Sequence, residues 1–272
     1  MAETSVRSKG RNSWQRYEIK YLISEREAAR VRAFCDAHLP IDEHSVNRPD
    51  RQYPISSIYL DSPDLQCFRA TIDKYLKRMK LRIRTYRSRE CSPSGSAAFF
   101  EIKRREKDII SKTRAHVSPQ LAECLIWNAV PYSADVGGYC IRCEDCSLRI
   151  NTRACQALNE FLDLRARIQA RPTVGVFYTR EAYEGQGLDR VRITLDRHLH
   201  YGLLSNDGGS LREVWWPAGL HDVILEIKFT GTFPFWVSDL IHRCDVMRRG
   251  VCKYVICIRG AGLGRTSARM LA

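Results

Sequence analysis

No apolar run in this chain of 272 residues approaches the roughly 20 residues that a helix needs to cross a bilayer. Met1 to Ser13 is polar and basic and has no apolar centre, so it is not a secretion signal. The expectation is a disordered basic tail over 1–13 and a cytoplasmic protein, with membrane association only through a partner. There is no P-loop, no Gly-rich dinucleotide turn and no zinc-protease motif. No seryl or cysteinyl triad stands out, and the seven histidines show no ligand spacing; His198 and His200 are expected to face solvent after a strand. Acidic residues are in deficit, 31 against 44 Lys and Arg, and the resulting formal charge of +13 calls for an anionic partner. Repeats and dividing linkers are absent, which predicts one domain over 14–259 with a frayed tail at 260–272.

Cysteine is not scarce. There are 11, an odd number, and without an export signal they are expected to be reduced. Cys35, Cys67, Cys244, Cys252 and Cys257 lie in apolar patterns and read as small core residues. Cys140, Cys143 and Cys146 form two overlapping C-x-x-C spacings, with Cys124 and Cys155 near in sequence. They could give three thiolates to zinc, or sit in a solvent-side loop without a metal.

What the chain has in abundance is alternation. Arg16-Tyr17-Glu18-Ile19-Lys20, Lys80-Leu81-Arg82-Ile83-Arg84, Glu101-Ile102-Lys103-Arg104-Arg105, Lys112-Thr113-Arg114-Ala115-His116, Arg190-Val191-Arg192-Ile193-Thr194-Leu195-Asp196 and Glu226-Ile227-Lys228-Phe229-Thr230 put charges on every second position. A strand alternates its side chains between two faces, so each segment has a charged and a mostly apolar face. Six such strands predict a sheet curled around a wet, basic interior, with helices on its apolar side; a closed barrel meets that description. Ser24 and Glu27 form a capping box for a helix over Ser24 to Leu39 that Pro40 ends. Ser62 and Pro63 open a second helix running to about Tyr75. A hairpin pairs Arg78–Arg89 with Ala97–Glu106 around the Cys91–Ser96 turn, and Ile109–Val117 follows as a strand. Residues 118–171 read as a mainly helical insertion. Strands are expected at Pro172–Tyr183, Asp189–Leu195, a short pair around Leu203–Val214, and Val223–Thr230. A helix over Thr232–Arg249 stops at Gly250.

Arg forks and Lys point charges hold phosphate oxygens, and bases two residues apart on one strand face, about 7 Å, can follow a run of phosphates. Glu18, Glu101, Asp196 and Glu226 lie among those bases. Carboxylates with phosphate oxygens suit Mg²⁺ or Mn²⁺, though each could equally serve to neutralise a neighbouring base. Bases outnumber acids on these faces, and the surplus needs an anion. Tyr86, Phe99 and Tyr178 share the parity of their charged neighbours while Tyr17 points the other way, so stacking on single-stranded nucleic acid is not excluded by parity. The carboxylates would repel a nucleic-acid backbone, and this reading is disfavoured.

The motifs Arg16-Tyr17-Glu18-Ile19-Lys20-Tyr21, Ser57-Ile58-Tyr59-Leu60-Asp61, Lys80–Tyr86, Phe100–Arg105, Lys112-Thr113-Arg114, Tyr178–Tyr183, Arg192–Asp196, Leu225–Phe229 and Cys252-Lys253-Tyr254 resemble the VTC domain. This is the polyphosphate-polymerase branch of the triphosphate tunnel metalloenzymes, related to the CYTH superfamily. The resemblance runs from about Arg16 to Ile258. It implies an α+β fold with an eight-stranded antiparallel barrel or tunnel, a charged interior and flanking helices. It also implies Mn²⁺ or Mg²⁺ as cofactor, and ATP with polyphosphate or tripolyphosphate as ligands. Carried over by motif, the phosphate-binding set is Lys20, Arg82, Arg84, Lys103, Lys112, Arg114, Arg180, Arg192, Lys228 and Lys253. Lys253, Arg82 and Arg84 are the catalytic candidates, and Glu226, then Glu18 and Glu101, the metal ligands.

The implied activity is transfer of the ATP γ-phosphate to a polyphosphate chain. The alternatives are hydrolysis of tripolyphosphate or a nucleoside triphosphate on the same fold, and polyanion binding without catalysis. The hydrolase branch resembles E-x-E-x-K on its first strand, and here Arg16 stands at the first Glu. Cysteine at 252 stands where the family often has serine. The inositol-phosphate-sensing domain and membrane anchor of the eukaryotic polymerases have no counterpart in these residues.

Overall fold

The structure, a computed structural model, describes residues 16–85, 98–107, 109–118, 121–122, 125–126, 153–185, 191–204, 214–231, 233–244, 246 and 250–264. The basic tail, Tyr86, the Cys91–Ser96 turn, Cys124 and the Cys140–Cys146 cluster lie outside the described residues.

Alternating sequence becomes strand: β1 (Arg16–Ile23), β2 (Tyr53–Asp61), β3 (Lys77–Thr85), β4 (Ala98–Glu106), β5 (Ile109–Val117), β6 (Arg171–Glu184), β7 (Arg192–Gly202), β8 (Trp215–Pro217) and β9 (Val223–Thr230). The helices are α1 (Glu25–His38), α2 (Glu43–Val46), α3 (Gln66–Ile72), α4 (Arg153–Arg167), α5 (Phe235–Cys244) and α6 (Lys253–Gly260). All strand pairs are antiparallel, in the order β1-β9-β7-β6-β2-β3-β4-β5, with β8 pairing β7.

The closed barrel is corrected. The sheet has nine strands, eight of them on the main path, and no ladder joins β1 to β5 among the described residues. The physical reason lies in what the two edges carry. Inward-pointing charges at Glu18, Lys20, Lys112 and Arg114 blunt the edges, a known way for strands to avoid pairing. Side chains span the gap instead: Lys103 of β4 reaches Glu18 of β1 at 2.8 Å.

Three apolar clusters fix the curl. Leu81, Ile83, Phe100 and Ile102 pack against Leu158, Phe161 and Leu162 of α4, with Phe100 edge-on to Phe161 at 5.1 Å. Tyr21, Ile193, Leu195, Leu225 and Ile227 pack against α1 through Val31 and Cys35, and against α5 through Val237 and Leu240. Each fully buried Leu, Ile or Phe contributes about 1.5–3 kcal/mol, so these faces commit the sheet to one orientation. The third cluster lies on the charged face. Tyr254, Cys257 and Ile258 of α6 sit on Tyr59, Val174, Val176 and Tyr178, so the last helix fills one end of the concave side.

Local chemistry sets the helix ends. The Ser24–Glu27 capping box forms as expected. α3 starts at Gln66, later than the sequence suggested, because the buried Asp61 carboxylate accepts from the backbone N–H of Cys67 and Phe68, both at 2.9 Å. Ser62 Oγ still accepts from the Gln66 N–H, at 2.9 Å. β7 runs on through His198 and His200 to Gly202. The register shift opposite Phe177–Thr179 places His198 at φ 52° in a bulge. Cys35, Cys67, Cys244 and Cys257 are buried and free, and Cys252 is half-buried.

Candidate functional site

Register decides what faces the concave side. Glu18 opposes Lys228, Lys20 opposes Glu226, Thr194 opposes Glu226 and Arg192 opposes Lys228. Arg82 opposes both Tyr59 and Glu101, and Glu101 opposes Arg114. Directly opposed residues share a face, so the charged faces of β1, β3, β4, β5, β6, β7 and β9 converge.

They enclose two joined cavities. One, of about 520 Å³, is lined among others by Lys20, Arg82, Lys103, Lys112, Lys253 and the carboxylates Glu18 and Glu226. The other, of about 800 Å³, brings in Arg114, Asp42, His44 and Tyr53. Arg84, Arg180, Glu184, Arg192 and Lys228 line both, so the two form one basic passage. All ten expected phosphate-binding residues therefore line it. Of the three expected metal ligands, Glu226 and Glu18 line it and Glu101 does not.

Glu101 is fully buried. It accepts from Arg82 Nε at 2.5 Å, Arg114 Nε at 2.7 Å and Lys112 Nζ at 2.6 Å. Burial pushes its carboxyl up, but Arg82, Arg84 and Lys112 outweigh that and hold it well below the usual carboxylate range. Its geometry is that of an anchor that organises three bases.

Asp196 plays the same part on the opposite wall. Arg180 grips it with two bonds of 2.6 and 2.8 Å, and Lys253 Nζ lies 2.6 Å away. Burial raises its carboxyl while Arg180 and Lys253 bring it down to about 2. Lys253 also sits 4.7 Å over the Tyr178 ring, which fixes the first residue of α6 against the wall.

Glu226 and Glu18 differ from these two. Glu226 holds Lys228 at 2.8 Å, and Glu18 holds Lys20 at 2.9 Å and Lys103 at 2.8 Å. Burial raises Glu226, but Lys228, Lys20, Lys253 and Arg180 keep it well below its ordinary value. Burial and the neighbouring Glu226 both raise Glu18, yet Lys20, Lys103 and Lys228 set it at about 2. Two ionised carboxylates on neighbouring strands repel each other, and a divalent cation would relieve that. Beside Glu226 in register, on the side of β9 away from Glu18, the buried Thr194 Oγ1 finds no hydrogen-bond partner among the described residues.

No group of three His, Cys, Asp or Glu converges among the described residues. The donor chemistry nevertheless fits a hard cation held by Glu226 and Glu18, with water and substrate oxygens as its other ligands.

Two lysines are tuned the other way. Burial and Lys20 lower Lys103 to about 8 against the pull of Glu18 and Glu226. Burial, Arg82 and Arg114 lower Lys112 to about 7 against Glu101.

Sequence reasoning missed several residues. Arg192 is held by Asp42 at 2.9 Å and by Glu184 and Tyr53. Glu184 shares the parity of Arg180 and was readable from it. Asp42 had only a cap-like position before α2, where it accepts from the His44 N–H at 3.0 Å. Tyr59 stacks on Tyr254 at 4.8 Å, a contact across the chain with no local signal. Cys252 lines the smaller cavity; burial raises its thiol, but Lys80 and Lys20 bring it below its usual value.

A curled antiparallel sheet with this basic interior is the build of a tunnel-type, phosphate-handling enzyme. The VTC domain family matches residues 15–260, and the chain belongs to that family. No curated protein sequence matches it. Among solved structures it is similar to the PH1819 protein of Pyrococcus horikoshii OT3, at 13% identity and TM-score 0.46, over 90% of this chain and 99% of that one. It is also similar to HpAC1 of Hippeastrum, described as revealing a dominant triphosphatase activity, at 12% identity and TM-score 0.47, over 89% of this chain and 95% of that one.

Proposed function

We propose that this protein is a metal-dependent phosphotransferase that moves the γ-phosphoryl group of cytoplasmic ATP onto the end of a polyphosphate chain. The observation that carries this is the joining of two basic cavities through five shared residues, which gives room for donor and acceptor in one passage. In this reading Arg84, Arg180, Arg192 and Lys228, at the junction, hold the phosphates on either side of the transferred group. Lys20, Lys103, Lys112, Arg82, Arg114 and Lys253 extend the track. Glu226 and Glu18 would hold Mn²⁺ or Mg²⁺, which supplies neutralisation and orientation of phosphate oxygens.

The bond from the γ-phosphorus to the β,γ-bridging oxygen breaks, a bond to a terminal oxygen of the acceptor chain forms, and ADP leaves. Fixed cations aimed at the equatorial oxygens neutralise charge where it spreads during transfer, and the passage aligns the two oxygens. A terminal phosphate oxygen is already anionic and needs no base. Glu18, Glu226 and Asp196 are held so far below neutrality that they are weak bases, which also favours a phosphate acceptor over water.

Hydrolysis is the second reading. Lys112, brought down to about 7 by burial, Arg82 and Arg114, is an amine that can take a proton from water. Incubation with ATP and Mn²⁺, followed by phosphorus NMR and gel analysis, separates the two. Long-chain polyphosphate with ADP is expected; orthophosphate alone would establish the hydrolase.

A further inference from the structure

Three large apolar side chains stand exposed where α3 passes into β3. Ile72, Tyr75 and Leu76 are 38%, 58% and 65% exposed, within a run from 72 to 77 in which every residue is exposed. The backbone of this run is nevertheless tied down. The Asp73 N–H donates to the Arg69 carbonyl at 2.9 Å, the Tyr75 N–H to the Ala70 carbonyl at 3.0 Å, and the Lys107 N–H to the Leu76 carbonyl at 2.8 Å. The connection is thus fixed between α3 and the residue after β4, and its apolar side chains are left uncovered by a loop that has its own hydrogen bonds.

Bases surround them. Lys74 and Lys77 interleave with the apolar residues, Arg78 donates to the Tyr75 carbonyl at 2.7 Å, and Arg105 opposes Arg78 in register. Lys77 pairs with Glu106 at 2.9 Å, but among the described residues Lys74, Arg78 and Lys107 have no carboxylate partner. Like charges directly opposed across a ladder are unfavourable. Burial and then the Arg105 guanidinium lower Arg78 from its ordinary value. An anion over the pair would relieve that repulsion.

We infer that this connection is a docking surface for an anionic lipid bilayer, Tyr75 and Leu76 entering the headgroup boundary while Lys74, Arg78 and Arg105 meet lipid phosphates. The contact is peripheral, since a loop and not a spanning helix meets the surface. Two other occupants fit less well. Soluble phosphate or polyphosphate satisfies the bases but has no group for Tyr75 and Leu76. A second copy on the same patch would set Arg78 and Arg105 against their own kind, because a two-fold interface is self-complementary. A lipid surface supplies acyl chains and phosphates together. Arg78 and Arg105 lie two residues along their strands from Lys80 and Lys103, which line the smaller cavity, so docking would bring that end of the passage to the bilayer.

The test is co-sedimentation with vesicles of phosphatidylcholine alone, or with about 30 mol % phosphatidylglycerol added. Wild type should bind the anionic vesicles and not the neutral ones. Tyr75→Ser with Leu76→Ser should weaken that binding about tenfold, and Lys74→Gln about fivefold. All three residues are exposed, so the variants should fold, and calorimetry should show wild-type affinity for tripolyphosphate in each. Binding to anionic vesicles should persist in saturating tripolyphosphate. Its loss there would assign the lipid to the bases of the passage and overturn the proposal. A wild type that does not sediment, or variants that sediment as it does, would overturn it too. A wild-type dimer that the double variant dissociates would give the patch to a second copy instead. Failure with vesicles leaves the phosphotransfer reading standing, and failure of wild type to bind tripolyphosphate removes that reading alone.

Discussion

Glu18 of β1 accepts two bonds from Lys103 Nζ of β4, at 2.9 and 2.8 Å, and so ties the first strand to the fourth on the side where the sheet leaves its edges unpaired. The clasp is ionic, and both of its residues line the smaller cavity.

That position gives a pH dependence. Burial with Lys20 holds Lys103 at about 8, and burial with Arg82 and Arg114 holds Lys112 at about 7. A bound polyanion favours the charged amines, so both values rise on binding and protons are taken up. Affinity for tripolyphosphate should fall as pH climbs through 7 to 8, because the free protein has then lost protons that the complex must recover. Calorimetry at pH 8 in buffers of different ionisation enthalpy should show this uptake, and Lys112→Arg, always charged, should reduce it. Equal uptake in that variant would remove Lys112 from the contact set.

Glu226→Gln should abolish metal-dependent turnover with the fold intact. Removing a carboxylate from among Lys20, Lys228 and Lys253 should leave metal-free binding of tripolyphosphate as tight as before or tighter. Retained turnover would show that Glu226 holds no essential cation.

Arg82 and Arg84 should both cost binding. Arg82 is bound to the fully buried Glu101, so Arg82→Ala should cost about 1.5–3 kcal/mol of stability in addition to affinity. Arg84 lines both cavities, and Arg84→Ala should cost a similar amount in tripolyphosphate affinity. Denaturant midpoints set beside binding constants measure both effects, and an unaltered tripolyphosphate affinity in either variant would remove that arginine from the contact set.

Tyr254→Phe tests how α6 is held. Its hydroxyl donates to the buried Asp61, whose other bonds start α3. Losing one bond to a charged acceptor should cost about 1.5–3 kcal/mol. Because Lys253 is the neighbouring residue, turnover should fall as well. A variant with wild-type stability and turnover would show that α6 is seated by apolar contact alone.

Much of this was readable because charge alternation is a local signal. β5 and β9 fall within the expected bounds, the capping box forms, and all ten expected phosphate-binding residues line the passage. Long-range contacts were not readable. That Glu101 meets three bases was not readable, because a carboxylate between lysines reads the same whether it faces a cation or bases. Asp42 reaches Arg192 across 150 positions of chain, and no pattern near either residue announces it. The end of β7 was misjudged because a bulge at His198 breaks the alternation without ending the strand.

By itself the sequence determined which residues share a face, since a period of two follows from strand geometry. It also determined that the shared face is basic and that its reverse is apolar. Only the tertiary structure decided that the sheet stays open, that Glu101 is gripped by three bases and Asp196 by two while Glu18 and Glu226 line the passage, and that α6 fills one end. Edge pairing, ion-pair partners and the seat of a terminal helix depend on side chains meeting from distant parts of the chain, and strand period carries no information about that meeting.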